Sequence, residues 1–135
     1  MTQDEAAAVV RAEVRAMAAQ LGHGVTDYVE KLVPCETMPA GSTQSFIVSL
    51  RLVPDDDRVA AMRAGYLAGK EAQGWRLRDD NTPDHAGWTL QDNRGFNIGY
   101  FVFPGKAQGT VGGSGPCLPK DAGSPATQTW SGTST

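Results

Sequence analysis

Few residues of this chain combine the types and the spacing that covalent chemistry requires. Nucleophilic catalysis needs a serine or cysteine beside a histidine that an acid orients. Asp84 directly precedes His85, but the sequence has no Gly-x-Ser-x-Gly elbow. His23 lies between two glycines, and both histidines occupy loop-like contexts. We therefore expect neither histidine to be catalytic.

Two acidic stretches are candidates for a cation site, and neither fits one well. Asp55–Asp57 precedes a helical pattern, where carboxylates cap the helix and complement its dipole. In the loop Asp79–His85, Pro83 occupies a ligand position of the EF-hand pattern, and the pattern's terminal glutamate is missing. The glycine-rich run 109–115 leads into a proline instead of a helix, unlike a phosphate loop. We expect no metal and no cofactor.

The two cysteines are the clearest chemical feature. Cys35 follows a proline and Cys117 lies between Pro116 and Leu118, which are contexts typical of loops and strand ends. A disulfide between them would close a loop of about 83 residues and contribute roughly 4 to 5 kcal/mol by chain entropy. Two free thiols are one alternative, and a metal site completed by the histidines is another. We predict the disulfide.

Composition bounds the remaining possibilities. The 135 residues are 40% hydrophobic and 20% charged, which suits a single core. Acidic residues number 15 and basic residues 12, without a basic run, so nucleic acid is not an expected partner. No apolar run reaches the roughly 18 residues that span a membrane.

The first twenty residues do not form the continuous apolar segment of an export signal. They include five charged residues: Asp4, Glu5, Arg11, Glu13 and Arg15. The protein is therefore either cytoplasmic or exported by a signal that this sequence lacks. The paired cysteines favour an extracytoplasmic location, because disulfides persist in oxidising compartments. The sequence does not indicate the oligomeric state.

Periodicity predicts two helices. The first extends from Gln3 to Leu21, with Thr2 and Glu5 as a capping box and Gly22 as its end. The second extends from about Asp56 to Gln73, and Gly74 ends it. One apolar stripe on the first helix predicts the face that packs on the core: Val10, Val14, Met17 and Leu21.

Alternation of apolar and polar residues predicts the strands. The strongest signal is a hairpin within Gly87–Pro104, with its turn at Asp92–Gly95. The other predicted strands are Gln44–Val53, Trp75–Arg78 and, less regularly, Ala107–Ser114. Residues 25–33 fit a helix or a strand, and we favour a strand. The region after Pro119 is rich in Gly, Ser, Thr and Pro.

These elements predict a two-layer α+β domain over residues 1–119, followed by a flexible tail over 120–135. Both helices would pack on one face of an antiparallel sheet of four to six strands, with one disulfide. On the other face we expect arginine and aromatic side chains together, the composition of binding hot spots. The residues predicted to bind a partner there are Arg51, Arg76, Arg78, Phe101 and Phe103. Alternatively, the tail or the strand at Val25 covers the two phenylalanines.

The order of motifs along residues 5–118 resembles the small exported lipoproteins of actinobacteria. The resemblance rests on four segments: Pro34-Cys35, Gly74-Trp75, Arg94–Ile98 and Gly113–Cys117. It implies a cell-envelope location and an oxidised cysteine pair, and it carries over no catalytic residue. Such proteins begin with a signal and a lipidated cysteine, which this sequence lacks.

Two functions from different classes follow from the sequence. We expect a non-enzymatic extracytoplasmic binding or accessory module that acts on a protein or cell-envelope partner. The alternative is a small hydrolase or a pocket-type ligand-binding protein that uses the Asp79–His85 loop. A deep cleft around His85 would favour the alternative, whereas an exposed sheet face rich in arginine and aromatic residues would favour the module.

Overall fold

The computed structural model of the chain describes residues 1–36, 42–79, 86–103 and 105–120. Helix α1 spans Gln3–Leu21, and the second helix consists of α2 (Asp56–Ala61), a π-helical turn (Arg63–Leu67) and α3 (Ala68–Ala72). The strands are β1 (Gly22–Pro34), β2 (Thr43–Pro54), β3 (Arg76–Asp79), β4 (Ala86–Gln91), β5 (Asn97–Val102), β6 (Gly109–Ser114) and β7 (Leu118–Pro119). The prediction of an α+β fold is confirmed.

Helix α1 begins and ends as its sequence predicts. The Thr2 hydroxyl accepts a hydrogen bond from the Glu5 amide at 3.1 Å, and the Glu5 carboxylate accepts one from the Thr2 amide at 2.9 Å. At the other end the Gly22 amide donates to the Ala18 carbonyl. A Cβ atom on Gly22 would lie 2.0 Å from the Val53 carbonyl oxygen, so only glycine fits where the helix turns directly into β1.

The sheet is antiparallel throughout, in the order β1-β2-β6-β5-β4-β3, with β7 paired to β2 beside β6. The prediction of four to six strands was too low, because the described residues form seven. The extra strand is the two-residue β7. Strand β2 is twelve residues long, and β6 pairs only with its residues 47–52, so Thr43 and Gln44 are left to pair with β7 on that side.

Residues 25–33 belong to a strand, as favoured. Strand β1 pairs with β2 from Gly22 to Pro34, with irregularities between His23 and Val29. Asp27, at φ 53°, is the non-glycine residue with positive φ among those described. The apolar spacing that resembles a helix in this segment arises because an irregular strand does not alternate strictly.

The second helix begins at the predicted aspartates. The Asp55 side chain accepts hydrogen bonds from the amides of Asp57 and Arg58 at 3.0 and 3.1 Å, which is the N-cap role assigned to this acidic run. The π-helical turn, which the spacing of Met62 and Tyr66 did not predict, interrupts the helix midway. Gly74, at φ 97°, ends the helical region.

All buried apolar side chains of the described residues form one cluster on one face of the sheet. Helix α1 contributes its predicted stripe, and the second helix contributes Met62 and Leu67. Helix α1 lies close to β6, because a Cβ atom on Gly113 would lie 2.7 Å from Ile98 Cδ1 and 2.8 Å from Val14 Cγ2. Both helices therefore cover the same face, as predicted.

The predicted disulfide is confirmed. Cys35 and Cys117 are bonded, with Cα atoms 6.2 Å apart. The bond joins the residue that follows β1 to the residue that precedes β7, beside the backbone hydrogen bond from the Cys35 amide to the Thr43 carbonyl. Within the described ranges, no helix is long and apolar enough to cross a membrane. The predicted tail lies outside the described residues beyond Lys120.

Candidate functional site

The sheet face that points away from both helices is the candidate site, and we call it the distal face. Register assigns side chains to it, because directly paired residues of antiparallel strands point to the same side. One row across the sheet consists of Arg76, Gln91, Asn97, Ser114, Ile47 and Lys31. The next rows consist of Arg78, Thr89, Gly99, Gly112, Ser49 and Val29, then of Gly87, Phe101, Thr110 and Arg51.

Two paired glycines leave the middle row without side chains at its centre. Gly99 on β5 pairs with Gly112 on β6, so the backbone forms the floor there. The ring of Phe101 lies over Gly99, with Cε2 3.1 Å from the position that a Cβ atom would take. Above Gly112 the nearest atom to such a position is the Val48 carbonyl oxygen at 3.5 Å, which is an ordinary contact distance. The structure therefore does not require glycine at 112 for steric reasons.

Three adjoining shallow depressions lie on the distal face. One of about 330 Å³ lies over the glycine pair and is bordered by Phe101 and Asn97. A second of about 420 Å³ lies between Arg51, Phe103 and the loop before β6, and a third of about 490 Å³ extends to Asp27 and Val29. Thr110 lines all three depressions, so they adjoin one another at this residue.

The distal face is cationic, although the whole chain carries a net charge of −3. Its basic residues are Lys31, Arg51, Arg76, Arg78 and, in the loop before β6, Lys106. Register or the lining of a depression places the described residues of this face. Asp27 is the acidic residue among them. It lies 3.9 Å from Arg51, with both side chains at least 60% exposed, and exposed pairs of this kind interact weakly.

The structure places the predicted partner-binding residues in two groups. Arg51 and Phe103 line one depression and Phe101 the adjoining one, whereas Arg76 and Arg78 lie at the far edge on β3. Phe103 is 51% exposed and Phe101 is partly buried. Strand β1 does not cover them, because it extends the sheet beside β2. Sequence reasoning missed Lys31, Lys106 and the glycine pair, although strict alternation along β5 and β6 would have placed Gly99 and Gly112 on this face.

Comparison of the chain with protein-family models, curated proteins and solved structures finds no match.

The alternative site in the Asp79–His85 loop falls mostly outside the described residues, which include only Asp79 from it. The Asp79 carboxylate pairs with the Arg63 guanidinium of the second helix, so it contributes to packing of that helix on β3. His23 is an exposed residue of β1. The part of the chain that the structure describes contains no group of three or more His, Cys, Asp or Glu residues placed to hold a metal ion.

A buried ion pair joins α1 to β1 on the helix side of the sheet. The Arg11 guanidinium donates from Nε and Nη2 to the two Glu30 carboxylate oxygens at 2.9 and 2.8 Å, and the Tyr28 hydroxyl donates to Glu30 at 2.5 Å. The Glu30 side chain is fully buried and the Arg11 guanidinium stacks on the Phe46 ring at 5.0 Å. Burial, followed by this hydrogen bond, raises the pKa of Tyr28 to about 12, and the bond to Glu30 raises the pKa of Arg11. Because every member is paired, the cluster fixes β1 to α1.

Proposed function

We propose that this protein is a non-enzymatic binding or accessory module that acts outside the cytoplasm on a protein or cell-envelope partner, through the distal face. The observation that carries the proposal is the composition of that face: Phe101 and Phe103 border its depressions, Arg51 lies in the same depression as Phe103, and Arg76 and Arg78 lie at the β3 edge of the sheet. Aromatic and arginine side chains dominate the energetics of protein interfaces.

The disulfide supports the proposed location, because cytoplasmic thiol systems reduce most such bonds. The resemblance to small exported lipoproteins of actinobacteria points to the same compartment. These two observations support the proposal of a cell-envelope partner.

Replacing both phenylalanines tests whether the distal face is a contact surface. We expect Phe103→Ser to change the free energy of unfolding by less than about 0.5 kcal/mol, and the double variant with Phe101→Ser to lose about 1 kcal/mol. If the two phenylalanines were part of the hydrophobic core, each truncation would lower the free energy of unfolding by roughly 3 to 5 kcal/mol. Urea melts of the two variants decide between these outcomes, and a loss of several kcal/mol would remove the distal face as a site.

Cross-linking in an envelope fraction tests the interaction itself. The wild-type protein, the variant Phe101→Ser/Phe103→Ser and a control variant Arg58→Ser are compared by mass spectrometry of the cross-linked products. Arg58 lies exposed on the second helix, away from the distal face. We expect a product that the wild type and the control share and the double phenylalanine variant loses. The same products from all three proteins would contradict the proposal.

A further inference from the structure

We propose that the depression between Arg51 and Lys106 on the distal face binds a phosphate monoester group. This inference goes beyond the proposed function, which names no ligand group. Three observations support it: both cations of this depression lack a close ion pair, a hydrogen-bonded loop fixes the position of Lys106, and the depression is larger than a phosphate group needs.

Arg51 and Lys106 are the basic residues that line this depression, and neither is held in a close ion pair. The Lys106 side chain makes no ion pair and no hydrogen bond with any residue that the structure describes. Arg51 lies 3.9 Å from Asp27, and water screens this exposed pair. Two other cations of the chain have a carboxylate at 2.8 Å, in the pairs Arg11–Glu30 and Arg94–Asp92. A chain of net charge −3 thus leaves two weakly compensated positive charges in one depression.

A hydrogen-bonded loop holds Lys106 at this depression. The Lys106 amide donates to the Phe103 carbonyl at 3.1 Å, which closes a turn. Two residues later, the Gln108 side chain donates from Nε2 to the Thr26 hydroxyl on β1 at 3.3 Å. Thr26 is paired with Arg51, so this bond ties the loop to the sheet beside Arg51. The two cations are therefore presented by connected parts of the fold.

Two cations at one depression match the charge of a phosphate monoester. Such a group carries a charge of about −1.5 to −2 at neutral pH, whereas a carboxylate is a monoanion. The planar Arg51 guanidinium donates two parallel hydrogen bonds to phosphate oxygens, and the Lys106 ammonium acts as a point charge. Thr110, which is paired with Arg51, adds a hydroxyl donor to the same depression. Together these donors suit the several oxygens of one tetrahedral group.

The size of the depression leaves space for the organic part of the ester. Its volume is about 420 Å³, and Ala107 adds an apolar side chain to its lining. A phosphodiester, as in a lipid head group or a nucleic acid, carries a single negative charge per phosphate and complements two cations less well. Phosphodiesters are therefore the competing ligands of the test.

The test is a titration of the isotope-labelled full chain with ethyl phosphate, followed by the amide chemical shifts at constant ionic strength and neutral pH. We expect saturable shifts with a Kd of about 1 mM, as for a small ligand held by a few charged hydrogen bonds. The largest shifts should occur at residues that line the depression: Arg51, Lys106, Gln108 and Thr110. Propionate, the matched carboxylate, should bind at least fivefold more weakly. Shifts that do not saturate, which indicate an adventitious ion only, or equal affinity for propionate would overturn the proposal.

Variants that remove one positive charge locate the site. Arg51→Gln should raise the Kd for ethyl phosphate at least tenfold and Lys106→Gln at least threefold, with unchanged melting temperatures because both residues are exposed. Lys31→Gln removes the same charge from the distal face and is the matched control. Lys31 is paired with Ile47, four residues along β2 from Arg51. At about 3.4 Å per residue this is about 13 Å, beyond the screening length of about 8 Å in physiological salt, so the Kd should stay within twofold. If Arg51→Gln and Lys106→Gln bind like the wild type, or if the control loses as much affinity as Arg51→Gln, the proposal is wrong.

Asp27→Asn provides a test of opposite sign. Asp27 is the carboxylate beside Arg51, so removing its charge should lower the Kd for ethyl phosphate at least threefold. Asparagine also tolerates the positive φ of 53° at this position. Asp57→Asn, which removes the same charge from the second helix, should leave the Kd unchanged. An unchanged or higher Kd for Asp27→Asn would contradict a phosphate site at Arg51.

Competing ligands complete the experiment. Diethyl phosphate, vesicles containing phosphatidylglycerol and a single-stranded oligonucleotide present phosphodiesters. Equal or stronger binding of any of them, compared per phosphate with ethyl phosphate, would overturn the monoester as the ligand. If ethyl phosphate does not bind but the cross-linked envelope product is still lost from the phenylalanine variant, this inference fails and the proposed function stands. If that product does not depend on the distal face either, both fail.

Discussion

At the scale of single residues, the sequence predicts the local hydrogen bonds well and the buried charge poorly. The capping roles of Thr2 and Asp55 follow from side chains that reach the backbone three residues away or less. Glu30 appears in the sequence as part of a polar face, but the fold buries it completely against Arg11. Nineteen residues separate the two, and no spacing rule connects a helix to a strand over that distance.

The buried ion pair gives a prediction about stability. Glu30→Leu leaves the Arg11 guanidinium without its carboxylate in a largely buried position, and we expect a loss of about 3 kcal/mol in the free energy of unfolding. Replacing both members by leucine removes the uncompensated charge and should recover most of that loss. Urea denaturation of the single and double variants measures both effects. A double variant as unstable as the single one would show that the charge pairing is not the cause.

The tyrosines give a prediction about alkaline pH. Burial raises the pKa of Tyr28 and of Tyr66 from 10 to about 12, and it raises the pKa of Tyr100 as well. A folded state that holds these protons more tightly than the unfolded chain is most favoured below pH 10 and loses that stabilisation as the pH rises from about 10 toward about 12. We expect the urea midpoint to fall across that window.

Ultraviolet titration of the phenolates checks the cause of this pH dependence. The native protein should ionise its tyrosines well above the titration of the same chain in denaturant. Tyr28→Phe should reduce the steepness of the decline between about pH 10 and about pH 12, because one of the shifted groups is gone. Coincident native and denatured titrations would contradict the assignment.

At the scale of elements, strand alternation predicts which residues of one strand share a face, but it does not predict which residues of two strands pair. The predicted distal face included Arg76, Arg78 and Phe101, which register places there. The sequence did not reveal the Gly99–Gly112 pair, because that pair depends on the register between β5 and β6. The sequence pattern also did not predict the π-helical turn, because Met62 and Tyr66 have the spacing of a regular α-helix.

Adjacent glycines on β6 provide a matched pair of substitutions. A Cβ atom on Gly113 would press against Ile98 and Val14 beneath α1, and we expect Gly113→Ala to cost about 1 to 3 kcal/mol through overpacking. Gly112→Ala points to the distal face, where contacts are ordinary, and should stay within about 0.5 kcal/mol. Thermal and urea melts of the two variants measure the contrast. Equal losses would mean that the helix does not pack on β6 this closely.

At the scale of the whole molecule, the class of fold was predictable and the number of strands was not. Two helices, an alternating hairpin and a cysteine pair lead to a two-layer domain with one disulfide, which the structure shows. Strand β7 follows Cys117 directly and pairs with the start of β2, so it lies beside the disulfide. A two-residue segment is too short to show the alternation that predicts a strand.

The disulfide gives a prediction at this scale. It links residues separated by 82 positions, so replacing both cysteines by serine should lower the free energy of unfolding by about 4 to 5 kcal/mol in the chain-entropy model. Urea melts of the double variant, with the wild type under reducing conditions as a second measurement, check this value. Alkylation of the air-purified wild type followed by mass spectrometry should show no free thiol, and two alkylated cysteines would contradict the bond.

The position of β6 in the sheet has a consequence for how the chain folds. Helix α1, β1 and β2 are consecutive in sequence, and so are β3, β4 and β5. Among the described strands, β6 is the one that pairs with both β2 and β5 and so joins the two groups of strands. Four of its six residues are Gly or Ser, which have little tendency to form a strand by themselves. We therefore expect β6 to enter last, after the rate-limiting step. Substitutions such as Gly113→Ala would then accelerate unfolding in stopped-flow experiments and leave the refolding rate nearly unchanged.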